Sequence, residues 1–300
     1  MTERNNHVTV NLISPYAMDG PNGGVQKHIS QYADFLTNHG VSSQIITPRL
    51  EGLDVNDNYV YLGNATKRTH KGTQLFTSRG LSTPWEVAKV SRAFSADINH
   101  YHEPEISGGA MEHLAISKAQ NFVTFHAHNE PDWRYNLLMP LRYPYSKLLT
   151  GRIVVSPAAH EFASHYFPGE YRIIPNGLNT EDFRGNIEPI PEFRDGKLNI
   201  LFVGRLEERK GFSYLLDAYA RVKRGNNDIR LIVVGDGPQR QAYEDKLKKD
   251  GIGDVHFAGR VTDQELPRYY KSADIFTSPA THGESFGIVL LEAMAAEVPV

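Results

Sequence analysis

The sequence feature that most constrains the fold is an alternation of short apolar runs with helical patterns. Residues 8–13 form an apolar, β-branched run that is typical of a buried strand. A glycine-bearing loop follows, and apolar residues then recur at helical spacing over residues 25–38. Residues 43–47 form the next strand-like run. A strand, a helix and a strand in that order predict a parallel sheet with crossover helices, so we expect an α/β protein.

The same pattern starts again near residue 198, which predicts two similar doubly wound domains. We expect the first at 1–170 and the second at 198–300, with the proline-bearing, charged stretch 171–197 as a linker. Other predicted strands are 98–101, 121–125, 151–155, 171–177, 198–203, 231–234, 255–258 and 275–278, and other predicted helices are 84–95, 212–223, 239–249, 264–272 and 285–296. The polar region 51–80 is interpreted as strands and loops. Since the last four residues resemble the start of another strand, the second domain is expected to be truncated.

Composition and charge exclude several classes of protein. The 300 residues are 40% hydrophobic and 22% charged, with a net charge of -3, whereas nucleic-acid binders usually carry a clear basic excess. The absence of cysteine excludes disulfides and thiolate metal sites and fits a reducing cytosol. The amino terminus lacks the apolar core of a signal peptide, and no stretch approaches the roughly 20 apolar residues that span a bilayer. We therefore expect a cytoplasmic protein, at most attached to the inner face of the membrane.

Two glutamates near the end of the sequence form a spaced pair that would suit a ligand with hydroxyls at both ends, such as a sugar nucleotide. Glu284 and Glu292 are eight residues apart. If a helix runs from Ser285, eight residues rise about 12 Å and turn the two side chains about 80° apart. The two carboxylates would then hold hydroxyls at opposite ends of a sugar nucleotide, and amides at the helix start would face an anion between them.

A charged loop follows the first strand of the second domain. Gly204, Arg205 and Lys210 lie between that strand and the next helix, where open parallel sheets bind ligands. Arg205 and Lys210 suit a diphosphate, although two solvated surface cations are an equally good interpretation of the loop alone. Neither a dinucleotide fingerprint nor a P-loop motif is present here.

Histidines and glycines follow strand ends in the first domain. His102 and His126 each stand at the ligand edge expected of a parallel sheet, and Gly23 and Gly24 precede a helix, where they form either a phosphate loop or a plain tight turn. His126 and His128 have a spacing found in metal sites, but no carboxylate cluster is nearby. No metal is therefore expected.

Together these segments resemble the family-4 retaining glycosyltransferases of the GT-B fold. The strongest motif is Glu-x7-Glu at Glu284 and Glu292, preceded by His-Gly and containing Ser-Phe-Gly-Ile-Val-Leu. The other matching segments are 19–26, 101–104, 124–126, 174–177 and 204–211. Within the family the motifs are similar to those of phosphatidylinositol mannosyltransferases. The resemblance implies two doubly wound Rossmann-like domains that face a cleft, with the second domain incomplete.

The resemblance also implies a role for each matching residue. Arg205 and Lys210 would hold the donor diphosphate, Glu292 the ribose hydroxyls and Glu284 the transferred hexose. His126 would contact the sugar near the reacting carbon. The remaining donor contacts would come from Gly23, Gly24, Gly204, Val261, Phe286, Gly287 and Ile288, and the acceptor contacts from Gln26 and His102.

The implied reaction moves a hexose of mannose or glucose type from a nucleotide-diphosphate sugar to a saccharide, polyol or lipid headgroup. Negative charge develops on the diphosphate as the bond breaks, and fixed cations stabilise that charge in the transition state. No separate cofactor and no nucleic-acid partner are expected. Residues 82–94 carry only Lys89 and Arg92, offset by Glu86, so any peripheral contact with an anionic membrane is expected to be weak.

Two alternatives stay open from the sequence. A sugar-nucleotide 2-epimerase shares the fold but would release free nucleotide without an acceptor. A non-catalytic sugar-nucleotide-binding remnant is the second alternative, because the chain is expected to be truncated. Product analysis with and without acceptor separates these possibilities.

Overall fold

The computed structural model describes residues 8–20, 23–70, 73–78, 84–127 and 143–300. These residues divide into two compact units, one ending at Gly177 and the other beginning at Leu178. Each unit contains a sheet with parallel strands and its own packed core. The α/β class predicted from the sequence is confirmed.

The first unit is built on an eight-stranded sheet in the order β4-β3-β2-β1-β5-β6-β7-β8. Only the β3–β4 pair is antiparallel; the other neighbouring pairs are parallel. The strands are β1 Thr9–Ile13, β2 Ser42–Leu50, β3 Tyr59–His70, β4 Thr73–Ser78, β5 Ile98–His102, β6 Gln120–Phe125, β7 Gly151–Val154 and β8 Arg172–Ile173. The described helices are α1 Gly24–Asn38, α2 Pro84–Ala93, α3 Gly108–Ile116 and α4 Pro157–Tyr166.

Two helices of this unit, α3 and α4, were not predicted. The start of α4 does carry a local signal, because Ser156 stands at the N-cap and Pro157 at the first helical position. The Ser156 hydroxyl accepts a hydrogen bond from the Ala159 amide at 3.0 Å. Helix α3 begins with two glycines, which are poor helix formers, so local sequence propensity does not predict a helix there.

The second unit has a four-stranded parallel sheet in the order β11-β10-β9-β12. Its strands are β9 Leu198–Val203, β10 Ile229–Val234, β11 Val255–Gly259 and β12 Ile275–Phe276, and its helices are α5 Glu181–Arg184, α6 Phe212–Lys223, α7 Arg240–Asp250, α8 Leu266–Lys271 and α9 Ile288–Ala295. Successive residues of β10 pack alternately, with Ile232 in one apolar cluster and Val233 in another. Both faces of the sheet are therefore covered, as in a doubly wound fold.

The stretch interpreted as a linker, 171–197, is divided between the two units. Its first part contributes β8, which pairs with β7 in the first sheet. Its later part packs against the second unit, where Phe183 and Phe193 are 2% and 5% exposed within the core. The prolines and charges of this stretch suggested a connector, but its two phenylalanines bury too much apolar surface to stay in solvent.

The predicted start of the last helix at Ser285 is wrong by three residues. Helix α9 begins at Ile288, and Gly287 at its N-cap has a left-handed backbone with φ of 76°. Side chains other than glycine rarely adopt this conformation, so the glycine stops the helix from extending backwards. Glu284 consequently lies in the loop before the helix, and the helical separation of about 12 Å calculated between it and Glu292 does not apply.

Gly211 fixes the position of the charged loop after β9. Its φ is 65°, and a Cβ atom at this residue would lie 2.0 Å from the carbonyl oxygen of Pro279. The loop after β9 therefore touches the segment after the neighbouring strand β12 with backbone against backbone. Only glycine allows both the conformation and the close approach.

We predict that Gly211→Ala is much more destabilising than Gly251→Ala. Gly251 has a nearly equal φ of 64°, but no atom of the described residues would lie within 4 Å of a Cβ atom added there. Alanine at Gly251 should lower the free energy of unfolding by about 1 kcal/mol through backbone strain alone. At Gly211 the added collision should bring the loss to about 3 kcal/mol or more. Urea unfolding of both variants measures the difference, and equal losses would contradict the close packing of Gly211.

Candidate active site

The loop after β9 holds two arginines on one buried carboxylate. Glu207 is 2% exposed, and its Oε1 lies 2.6 Å from Nε of Arg205 while its Oε2 lies 3.3 Å from Nε of Arg209. A turn of 3-10 helix over Glu208–Lys210 then leads to Gly211. The sequence predicted Arg205 but not Arg209, although both belong to the same charged loop. Glu207 keeps the two cations together at the carboxyl end of the strand.

This loop is joined to the segment that follows β12. The amide of Thr281 donates to the carbonyl of Arg209 at 3.0 Å, and the Arg209 guanidinium donates to the carbonyl of Gly283 at 3.3 Å. Next to these contacts, Nζ of Lys210 forms an ion pair with Oε2 of Glu284. The side chains of Lys210 and Glu284 are 17% and 32% exposed, so the pair stays accessible to a ligand. Two residues predicted to hold different parts of one donor are thus in direct contact.

Glu292 lies in a different environment from Glu284. It is 2% exposed in the second turn of α9, and the Tyr270 hydroxyl donates to its Oε2 at 2.9 Å. Burial, and then the charge of Glu292, raise the pKa of Tyr270 well above its usual value. Tyr270 therefore stays a protonated donor that fixes the carboxylate. The ribose role of Glu292 remains a prediction.

The other predicted donor residues of this unit lie near the same edge of the sheet. Gly204 directly follows β9, and Val261 follows β11 and packs partly buried against the core. Phe286, Gly287 and Ile288 lead into α9, whose first amides have no acceptor within the helix. This agrees with the rule that parallel sheets bind ligands at the carboxyl ends of their strands.

A group of neutral histidines occupies the same kind of position in the first unit. His102 ends β5, His126 directly follows β6, and His28 comes from α1. Nδ1 of His102 and Nε2 of His126 lie 2.9 Å apart, and the His28 ring centroid is 5.0 Å from that of His126. His100 stacks on His102 with centroids 4.6 Å apart, and its Nε2 lies 2.7 Å from the Thr124 hydroxyl. The sequence predicted His102 and His126 but neither His28 nor His100.

Burial governs the charge of these histidines. It lowers the pKa of His28 to about 4 and, together with the charge of His28, the pKa of His100 to about 3. Burial and the neighbouring imidazoles hold the pKa values of His102 and His126 well below their usual range. The four rings are therefore uncharged near neutral pH.

Glu103 fixes the backbone at His126. It is 1% exposed and adopts a left-handed conformation with φ of 45°. Its Oε1 accepts a hydrogen bond from the His126 amide at 3.2 Å, and its Oε2 accepts one from the Tyr16 hydroxyl at 2.9 Å. Burial raises the pKa of this carboxyl, and these hydrogen bonds oppose the rise. The sequence motif contained Glu103, but its inward direction depends on the fold.

Gln26 and the paired glycines form the start of α1. Oε1 of Gln26 accepts a hydrogen bond from the Gly23 amide at 3.1 Å, as expected of a glutamine three residues after an N-cap. Gly24 is the first helical residue, and no atom of the described residues would lie within 4 Å of a Cβ there. Gln26 is 7% exposed, so the structure gives it a capping contact, and its role toward an acceptor remains a prediction. His128 lies outside the described residues.

Comparison with known proteins identifies the family. The model of "Glycosyltransferase Family 4" matches residues 22–182, and the model of "Glycosyl transferases group 1" matches residues 183–300. The phosphatidyl-myo-inositol mannosyltransferase of Mycobacterium tuberculosis (strain CDC 1551 / Oshkosh) is 31% identical over 97% of this chain and 76% of its own length. This chain belongs to the family-4 glycosyltransferases.

A further relative and a solved structure extend the comparison of this glycosyltransferase. The alpha-monoglucosyldiacylglycerol synthase of Streptococcus pneumoniae (strain ATCC BAA-255 / R6) is 30% identical over 75% of this chain and 55% of its own length. The sucrose-phosphate synthase of Thermosynechococcus elongatus superposes with a TM-score of 0.71 over 98% of this chain and 80% of that one, at 19% identity. The GT-B fold and the assignment as a hexosyltransferase are confirmed, and nothing favours the epimerase or the non-catalytic remnant.

We predict that the glycosyltransferase loses stability as the pH falls from about 6.5 towards about 4. The pKa of His28 is lowered in the folded state, so in this window the unfolded chain binds more protons and acid favours unfolding. The thermal midpoint should therefore fall on acidification, and it should fall less steeply in His28→Gln. His39→Gln is the control, since His39 is exposed at the end of the same helix. Equal pH slopes for wild type and His28→Gln would contradict this assignment.

Proposed function

We propose that this hexosyltransferase moves a mannose- or glucose-type hexose, with retention of configuration, from a nucleotide-diphosphate sugar to a hydroxyl of a polyol, saccharide or lipid headgroup. The observation that carries the proposal is the contact of Lys210 with Glu284 beside the arginines held by Glu207. A sugar nucleotide needs cations for its diphosphate and an acceptor group for its sugar hydroxyls. Both kinds of group meet at one sheet edge.

The cations of the loop after β9 are proposed to bind the donor diphosphate. Arg205 offers a planar fork of donors and Lys210 a point charge, and both suit phosphate oxygens. Arg205 and Lys210 are each paired with a carboxylate, so their positions are fixed before a donor arrives. When the glycosidic bond breaks, the added negative charge develops on the diphosphate, where fixed cations stabilise it without reorganisation.

Glu284 is proposed to hold hydroxyls of the transferred hexose. It lies in the loop directly before α9, and the amide end of a helix favours a bound anion. Since Lys210 contacts Glu284, the hexose and the diphosphate would be held side by side. This matches the covalent arrangement of a sugar nucleotide, in which the anomeric carbon is bonded directly to a phosphate oxygen.

Glu292 and His126 complete the proposed donor contacts. Glu292 would accept hydrogen bonds from the ribose hydroxyls, with its carboxylate orientation held by Tyr270. His126 would contact the sugar near the reacting carbon as a neutral imidazole, with its backbone held by Glu103. No carboxylate nucleophile is assigned, so the proposed attack is on the same face as the departing phosphate and differs from the paired-carboxylate chemistry of hydrolases. We propose that the reaction needs no separate cofactor.

The acceptor is proposed to be a polyol or saccharide hydroxyl of a lipid headgroup. The names of the mannosyltransferase and of the synthase from Streptococcus pneumoniae each refer to a lipid, phosphatidyl-myo-inositol in the first and diacylglycerol in the second. Helix α2 offers Trp85, which is 73% exposed, as an interfacial aromatic, and the cations Lys89 and Arg92 beside Glu86. Two cations and one anion give little attraction to an anionic surface, so any peripheral binding at the inner face of the membrane is expected to be weak. Within the described part of the chain, no helix has the length and hydropathy of a membrane span.

The experiment that tests this function is product analysis with uridine and guanosine diphosphate sugars, with and without acceptors. The acceptor panel contains myo-inositol, glycerol and vesicles of phosphatidylinositol. We predict nucleoside diphosphate release that depends on an acceptor, with a new glycoside as product. Release without acceptor together with a 2-epimeric free sugar would favour an epimerase, and donor binding without turnover would favour a non-catalytic protein.

Two lysine substitutions, one in the loop after β9 and one elsewhere on the surface, test the proposed role of the loop. Lys210→Met should lower kcat by about 10²- to 10³-fold, because one stabilising contact to the developing charge is lost. Lys249→Met, an exposed lysine in α7, is the control and should keep wild-type kcat. Equal kcat values for wild type and Lys210→Met would exclude Lys210 from transition-state stabilisation.

A further inference from the structure

Three histidines of the first unit form a cluster with the dimensions of a metal site. One ring nitrogen from each of His28, His102 and His126 lies within 4.8 Å of the others. In the described part of the chain, no other group of three or more histidine or carboxylate side chains has this arrangement. His28 comes from α1, His102 from the end of β5 and His126 from the residue after β6, so the fold and not a local motif brings the three together.

A second observation at the cluster points to a ligand. His102 is completely buried, and its Nε2 has no hydrogen-bond partner among the described residues. An imidazole has two polar nitrogens, and a buried polar atom without a partner is costly, so native structures rarely leave one. A metal ion bound at Nε2 of His102 would supply the partner that this buried nitrogen lacks.

The separations suit an ion after small side-chain movements. In a tetrahedral site with metal–nitrogen bonds of 2.0–2.1 Å, neighbouring ligand nitrogens are about 3.4 Å apart. One ring nitrogen of each histidine already lies within 4.8 Å of the others, so movements of about 1 Å suffice. His28 is less buried than the other two histidines, and a change in its ring orientation would bring the three nitrogens closer together. Three protein ligands leave a fourth position for water.

The chemistry of the ligands selects the class of ion. Neutral imidazole suits zinc, copper, nickel and cobalt, whereas magnesium and calcium prefer oxygen ligands. Burial keeps all three imidazoles neutral near pH 7, so each can bind a metal ion without first releasing a proton. The nearest carboxylate in the sequence, Glu103, is committed to the His126 amide and the Tyr16 hydroxyl.

We propose that His28, His102 and His126 bind one divalent transition-metal ion of the zinc class. Because His126 is also the proposed sugar-contacting residue, an ion there would exclude the donor sugar and inhibit transfer. The inhibitory consequence rests on the proposed function, whereas the binding site does not. The ion would be a regulator of the reaction and not its cofactor.

The test uses the full chain freed of metal by a chelator. Zinc affinity is measured by competition with a chromophoric chelator, and cobalt is added separately to record its visible absorption. We expect one ion per chain and a cobalt spectrum of low coordination number. His28→Ala should bind zinc at least about tenfold more weakly, because removing even a residue that only hydrogen-bonds to a metal ligand weakens metal affinity by about that factor. His39→Ala, which changes the exposed histidine directly after the same helix, should bind like wild type.

Stoichiometric binding that is unchanged in His28→Ala, or no binding by wild type, would overturn the proposal. Thermal unfolding of each variant without metal checks that the chain is folded, and His28→Asn is the second variant if alanine unfolds it. A transfer assay with added zinc measures the inhibitory consequence: inhibition should be reversed by chelator and be weaker in His28→Ala. If the chain shows no transfer at all, the affinity and cobalt measurements still decide the binding site.

Discussion

The charged site of the second unit depends on the close backbone contact between the segments that follow β9 and β12. These strands are neighbours in the parallel sheet, so their carboxyl ends point the same way. Gly211 allows its loop to touch the carbonyl of Pro279. A hydrogen bond from the Thr281 amide to the Arg209 carbonyl joins the same two segments. The ion pair of Lys210 with Glu284 lies beside this contact and joins the same two segments.

The candidate site of the first unit is uncharged, in contrast to the charged site of the second unit. Instead of paired charges it holds a stack of buried, uncharged imidazoles around His102. Desolvation makes protonation of these rings expensive, so they act as neutral hydrogen-bonding groups or metal ligands near pH 7. Such rings suit contact with a sugar or with a transition metal, whereas the cations of the second unit suit a diphosphate.

Much of this arrangement was predictable because it follows from the parallel-sheet rule. Arg205, Lys210 and His126 were placed at strand ends by sequence pattern alone, and the structure has them there. The start of α9 was wrong because a left-handed glycine at Gly287 is not visible in hydrophobic periodicity. The parts that sequence reasoning missed, such as His28 and the inward direction of Glu103, depend on long-range contacts between elements that no local pattern encodes.

The pairing of Lys210 with Glu284 also explains why their proposed roles can be separated experimentally. Glu284 is proposed to contact only the hexose, so a nucleoside diphosphate does not need it, and its neutral replacement also removes a negative charge from the neighbourhood of the diphosphate. The most direct test is the calorimetric affinity of Glu284→Gln for a nucleoside diphosphate and for the matching nucleotide sugar. We predict unchanged or tighter binding of the nucleoside diphosphate and at least about tenfold weaker binding of the nucleotide sugar, the loss of about one charged hydrogen bond. Equal losses for both ligands, or no loss for either, would contradict the proposed donor site.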